Sequence, residues 1–250
     1  MTEAAVIALL ALAGIIFQTV VGFGVSSFIT PVLLVYFNPP IAVTVTLLMA
    51  TVLCLVVLYS ERSHLELSWA IVFRLFIAAV PGLLIGSYIV TRIDKAVLQI
   101  IVGLLIILGA VVQEYIFPKP TKQLGVSKGI NASGFISGIL NASAAQAAPP
   151  LVLWMRAHKS RPNQLRHNLA AAFILMNVAS IITIHFLKHG SLSAKGFEVF
   201  LMLLPLIILG NISGRYLGSK INIKQYHAIV FWAVVIAGVV SALLGLFDLR

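Results

Sequence analysis

Apolar positions along this chain fall into runs separated by short charged links, and run length sets the elements the pattern predicts. Segments are expected at about residues 4–37, 40–60, 68–91, 96–117, 128–156, 165–187, 197–215 and 225–247. A helix needs about 20 apolar residues to cross the hydrocarbon of a bilayer, and most of these runs have that length. The links are ERSHLE, TRIDK, FPKPTKQLGVSK, MRAHKSRPNQLR, KHGSLSAK and RYLGSKINIK. The pattern predicts an all-α polytopic membrane protein, with residues 1–250 forming a single membrane domain.

Two segments depart from the plain pattern. Residues 4–37 make an apolar run of 34, long for one crossing at ~1.5 Å per residue. Inside it lies QTVVGFGVSSFITP, residues 18–31, where glycines, hydroxyls and a proline interrupt what should be ordered backbone. The run 128–156 is similarly studded with Asn131, Ser133, Gly134, Ser137, Gly138, Asn141, Ser143 and Gln146, then Pro149 and Pro150. GIIFQTVVGFGVSSFITP (14–31) lines up loosely with GFISGILNASAAQAAPP (134–150), each a series of small residues at four-residue spacing ending at proline. Further along, PGLLIG (81–86) matches PLIILG (205–210). Two related halves follow, about 1–120 and 125–250, each a broken-helix hairpin plus three transmembrane helices.

Composition agrees, since 60% apolar residues, 10% charged residues and a mean hydropathy of +1.08 exclude a soluble surface. The net charge of +10 is topological rather than a nucleic-acid footprint, because sixteen of the seventeen Lys and Arg residues lie in links or at their edges. If each odd segment crosses once, the basic residues divide 7 to 9 between the two sides; if each dips in and returns, they divide 11 to 5. The second arrangement obeys the positive-inside rule, with ERSHLE, the central link, MRAHKSRPNQLR and RYLGSKINIK cytoplasmic. The halves then enter the membrane from opposite sides as inverted repeats with both termini outside, the architecture of secondary transporters; parallel repeats would leave both termini in the cytoplasm. No cleavable leader is expected at MTEAAVIALLALAG, and Cys54, lone in an apolar run, reads as a small core residue.

In lipid a broken helix is tolerated only where protein or water lines the break. Gly22 and Gly24 admit backbone closed to other residues, Ser26 or Ser27 is placed to cap a new helix, and Pro31 to kink it. In the second half Gly134 and Gly138 allow close packing, Asn141, Ala142 and Ser143 are placed to break and recap, and Pro149 and Pro150 oppose a regular helix. Two new helix amino termini meeting near the midplane, each with about half a positive charge, suit a small anion. The candidate substrate-binding residues are Gln18, Gly22, Phe23, Gly24, Ser26, Ser27, Thr30, Gly138, Asn141, Ser143, Gln146, Asn177 and Arg74. Each has a plainer competing role: close packing for the glycines, an interhelical hydrogen bond for Asn177, and reach to the headgroups for Arg74, the one basic residue inside a segment.

The two-half plan, the Q-x3-GFG-x6-P stretch and the GFISG…PP stretch resemble the sulfite exporter TauE/SafE family of membrane transporters, over nearly the whole chain. The family's breaks tend to be denser in glycine, whereas Ser26, Ser27 and the Asn141-Ala-Ser143-Ala144 stretch stand here instead. The resemblance implies transport, through the cytoplasmic membrane, of small sulfur-containing anions such as sulfite, sulfoacetate or other organosulfonates. Another small anion, or uptake in place of export, is the alternative.

All seven carboxylates, Glu3, Glu61, Glu66, Asp94, Glu114, Glu198 and Asp248, fall in links or near segment ends, leaving no midplane acid as a proton relay. The histidines at 64, 158, 167, 185, 189 and 227 do likewise, which argues against an intramembrane serine protease built on Ser137 and against a metal site. No cofactor and no enzymatic activity are expected. The expected partners are a small anionic substrate and the lipid bilayer, not nucleic acid.

Overall fold

The computed structural model describes residues 2–111, 129–157, 161–188, 193–220 and 223–248. Residues 112–128, which hold the central link, as well as Lys159 and His189, lie outside the described residues. The chain is helical: α1 (Thr2–Val21), α2 (Ser26–Tyr36), α3 (Pro39–Ser60), a 3-10 turn (Arg62–His64), α4 (Trp69–Arg92) and α5 (Lys95–Val111) make the first half. The second half holds α6 (Ile130–Ala144), α7 (Ala148–Ala157), α8 (Pro162–Leu187), α9 (Ala194–Lys220) and α10 (Ile223–Asp248), and no strand occurs among the described residues. Among the described residues, four helices are long and apolar enough to cross a membrane: Pro39–Ser60, Trp69–Arg92, Asn163–Leu187 and Ala194–Gly218. Leu104, Leu108, Ile208, Leu209 and Phe247 are each more than half exposed, an arrangement that lipid tolerates and water does not.

Both odd segments are broken helices. The first splits into α1 and α2, the second into α6 and α7, so the long apolar runs are hairpins of two elements. Three local expectations are corrected. The backbone break in the second hairpin falls at 145–147, after the Asn141–Ser143 stretch, because Asn141 and Ser143 remain inside α6. Neither Ser26 nor Ser27 caps α2, which has no side-chain cap bond at its start. Pro149 and Pro150 sit in the first turn of α7, where a backbone N–H has no intrahelical acceptor, so they begin a helix instead of preventing one.

Several of the helix packings are related in pairs. α4 lies along α6 and α8, and α9 lies along α1 and α3, while α3 meets α8 and α5 meets α10. Exchanging α1–α5 for α6–α10 converts each of the first two packings into its counterpart and leaves the last two unchanged. α4 and α6 approach each other closely. A side chain at Gly82 or Gly138 would run into the backbone of the other helix, at Phe135 and Ala79 respectively. Small residues at helix crossings let dispersion contacts and backbone dipoles hold helices together where no hydrophobic force acts between them. The matched motif positions have matched roles, since Gly86 of α4 faces Ile139 and Ala142 on α6 while Gly210 of α9 faces Ile15 on α1.

Candidate anion site between two broken hairpins

The first break is made by glycine conformation and held by a distant side chain. Gly22 and Gly24 adopt φ of 97° and 112°, in the left-handed region that other residues rarely enter. Gly22 N–H still donates to Gln18 O at 2.7 Å, and the chain then turns into α2. The buried Gln18 side chain bridges the gap: its Oε1 accepts from Val25 N–H at 3.0 Å, and its Nε2 donates to Cys54 Sγ at 3.5 Å. Gln18, seven residues upstream, thus ties the residue before α2 back to α1.

The second break uses no glycine. Ala145 takes φ 57° and ψ 29°, and its N–H closes on Asn141 O at 2.9 Å while Gln146 N–H closes on Leu140 O at 3.0 Å. These bonds satisfy carbonyls that the end of α6 would otherwise leave orphaned. The two breaks touch, because Ser27 Oγ donates to Gln146 Oε1 at 3.2 Å. Between them is a small cavity walled by Gln18, Gly24 and Ser26 from the first hairpin, Asn141, Ala145, Ala147 and Ala148 from the second, Leu47 and Ala50 from α3, and Phe173 and Asn177 from α8. Both new helix amino termini, at Ser26 and Ala148, therefore contribute to its wall. Its free volume is about 20 Å³, room for roughly one water. Anything larger enters only when the surrounding helices separate.

The wall chemistry suits an anion. No carboxylate lines the cavity, and the buried Asn177 Nδ2 has no hydrogen-bond partner among the described residues. The buried Gln146 Nε2, beside the junction of the breaks, also has none. An amide N–H buried without an acceptor costs about 1–3 kcal/mol, a cost that an arriving oxyanion relieves. Asn141 Nδ2 is already engaged, donating to Ser180 Oγ at 3.0 Å.

Several candidates lie elsewhere. Thr30 Oγ1 donates to Thr46 Oγ1 at 3.3 Å, and Ser143 Oγ turns back to Ile139 O at 2.7 Å. Gly138 is pressed on the α4 backbone, and Phe23 packs in the cluster that contains Leu165 and Leu169 of α8. Gly22 lies under Arg166, whose Cγ would be 3.2 Å from a Cβ at that position. Arg74 is exposed in a groove between α4 and α6, outside the cavity wall.

A polar clasp beside the first break escaped the sequence reading. Glu61 Oε1 pairs with Arg166 at 2.9 Å and Glu61 Oε2 with His167 Nε2 at 2.8 Å. His167 Nδ1 accepts from Glu66 N–H at 3.0 Å, which leaves the proton on Nε2 for Glu61. Ser68 N–H donates to Asn168 Oδ1 at 2.8 Å. The α3–α4 connection is so fastened to the start of α8, the helix that carries Asn177 into the cavity. ERSHLE and MRAHKSRPNQLR read as topological links in sequence, and no local spacing joins residues a hundred positions apart.

Paired helix breaks around a polar cavity within a bundle of apolar helices define a multi-pass membrane protein of the broken-helix kind. The family model described as sulfite exporter TauE/SafE matches residues 6–241, and the chain belongs to that family of membrane transporters. It is 23% identical over 211 residues, 81% of this chain and 79% of the other, to a protein of Cupriavidus necator named as a probable sulfite/organosulfonate exporter, TauE. No solved structure matches the chain.

Proposed function

We propose that the protein carries small sulfur oxyanions, sulfite or organosulfonates such as sulfoacetate, out of the cell through the cytoplasmic membrane. The observation that carries this reading is the cavity where two helix breaks meet, walled by amides and helix amino termini and free of carboxylates. Gln18, Ser26 and Asn177 are the first side chains that an anion there would meet, with Asn141 and Gln146 next to it. Membership of a sulfite exporter family and the name of the Cupriavidus relative support the substrate class.

The exchange relation among the helix packings, together with the 11 to 5 division of basic residues, supports two halves of opposite orientation. In such a frame the cavity opens to either side as one hairpin and its helices rock against the other. An anion leaving a negative interior gains about 2.3 kcal/mol per charge per 100 mV, so export needs no coupling ion. Uptake of labelled sulfite, sulfoacetate and taurine into proteoliposomes, with and without a set potential, tests the proposal. Flux of at least one that follows the potential is expected; no potential-sensitive flux of any of them sinks it.

A further inference from the structure

We propose that the open groove between α4 and α6 is a binding site for an anionic phospholipid of the surrounding leaflet, with Arg74 and Asn131 holding the phosphate. The groove is about 570 Å³ and is lined by Ala70, Phe73, Arg74, Ile77 and, from α6, Asn131 and Phe135. Its walls are otherwise apolar and outward-facing: Phe73 is 49% exposed and Ile77 68%. Arg74 is exposed beside them and makes no ion pair among the described residues.

Depth makes that unpaired charge informative. Trp69, 54% exposed, stacks on Phe73 with ring centroids 5.5 Å apart, an aromatic pair of the sort that marks the membrane interface. Arg74 is five residues further along the same helix, ~7–8 Å deeper at ~1.5 Å per residue. A guanidinium just inside the interface on a lipid-facing helix needs a counterion, and a lipid phosphate is the anion present at that depth. The fork of N–H donors on Arg74 and the carboxamide of Asn131, from the start of the facing helix, give that phosphate two different partners. Phe73, Ile77 and Phe135 provide the apolar trough for an acyl chain. Charge complementarity thus selects an anionic lipid over a second copy of this strongly basic chain, which has a net charge of +10. The site lies outside the cavity wall, so the inference holds whichever anion is transported.

The test is native mass spectrometry of the full chain with phosphatidylglycerol or phosphatidylcholine at equal mole fraction, repeated with inorganic phosphate and sulfite as competitors. One charge at the surface predicts a roughly fivefold preference for phosphatidylglycerol. Arg74→Gln should abolish the preference, and Arg62→Gln, an exposed cation in the preceding link, should leave it. Ile77→Trp, which fills the trough and keeps the charge, should also weaken phosphatidylglycerol retention and guards against a misfolded Arg74 variant. Equal retention of the two lipids, an unchanged preference in Arg74→Gln, or displacement by millimolar phosphate or sulfite overturns the proposal, the last by marking a soluble-anion site. Loss of a dimer in Ile77→Trp with lipid retention unchanged also overturns it, in favour of a self-association face.

Discussion

The two hairpins solve one problem by different means. In the first, two glycines at positive φ open the backbone and the Gln18 side chain closes the gap. In the second, Ala145 enters the left-handed region and the backbone closes on itself through Ala145 and Gln146 N–H. The difference lies in the surroundings. A side chain at Gly24 would collide with the Phe17 ring, and one at Gly22 would press on Arg166, whereas Ala145 lines the cavity. An alanine tolerates φ near 57° at a cost of about 1–2 kcal/mol, but φ beyond 90° next to packed neighbours is effectively reserved for glycine. The first break is therefore sterically demanding and the second merely strained.

This contrast orders the expected effects of substitution. Gly24→Ala adds a steric collision to a forbidden φ and should cost about 2–4 kcal/mol, read as a large drop in thermal unfolding temperature in detergent. A near-native melting temperature would refute the account of the first break.

Asn177→Leu probes the shared cavity, not either break. Because its Nδ2 has no partner, folding should be unharmed or slightly improved, while loss of a hydrogen bond to a charged ligand, about 1.5–3 kcal/mol, should lower anion flux by roughly tenfold or more. Equal loss of stability and flux would instead make Asn177 a packing residue.

Gln18→Leu removes the acceptor of Val25 N–H and should destabilise by about 1–3 kcal/mol, in both melting temperature and hydrogen exchange at Val25. If that amide stays protected, the bridge is redundant. Ser27→Ala cuts the Ser27–Gln146 bond between the hairpins and should cost about 1 kcal/mol. In a double-mutant cycle with Gln146→Ala the two losses should fail to add; strict additivity would show the breaks to be independent. Ala145→Gly is the smallest and of opposite sign, a gain of up to about 1 kcal/mol from relief of the left-handed alanine. A loss there would mean that the methyl group packs more than it strains.

Much of this molecule was legible in the pattern of its residues. Apolar run length located the helices to within a few residues, because a chain in hydrocarbon must satisfy its own backbone and a helix is the local way to do so. The excess length of 4–37 together with Gly22 and Gly24 located the first break for the same reason. The second was placed too early, since Asn141 and Ser143 looked like breakers but remained helical, with Asn141 turned to Ser180 and Ser143 to its own helix.

Thr30 and Ser26 show where local reading stops. Both are hydroxyls four residues apart near the start of α2, yet Ser26 faces the cavity and Thr30 bonds Thr46 of α3. Which of the two meets a ligand depends on what packs against each side of the helix.

The sequence by itself therefore determined that the chain is helical, membrane-embedded and broken twice, since these depend on hydrophobicity and backbone freedom over a few neighbouring residues. Only the tertiary structure decided that Gln18 closes the first break, that Ser27 ties it to Gln146, that Asn177 lines the cavity and that Glu61 clasps Arg166 and His167. Those outcomes rest on partners from 7 to 119 residues away, brought within hydrogen-bond reach by how helices cross, which no local pattern encodes.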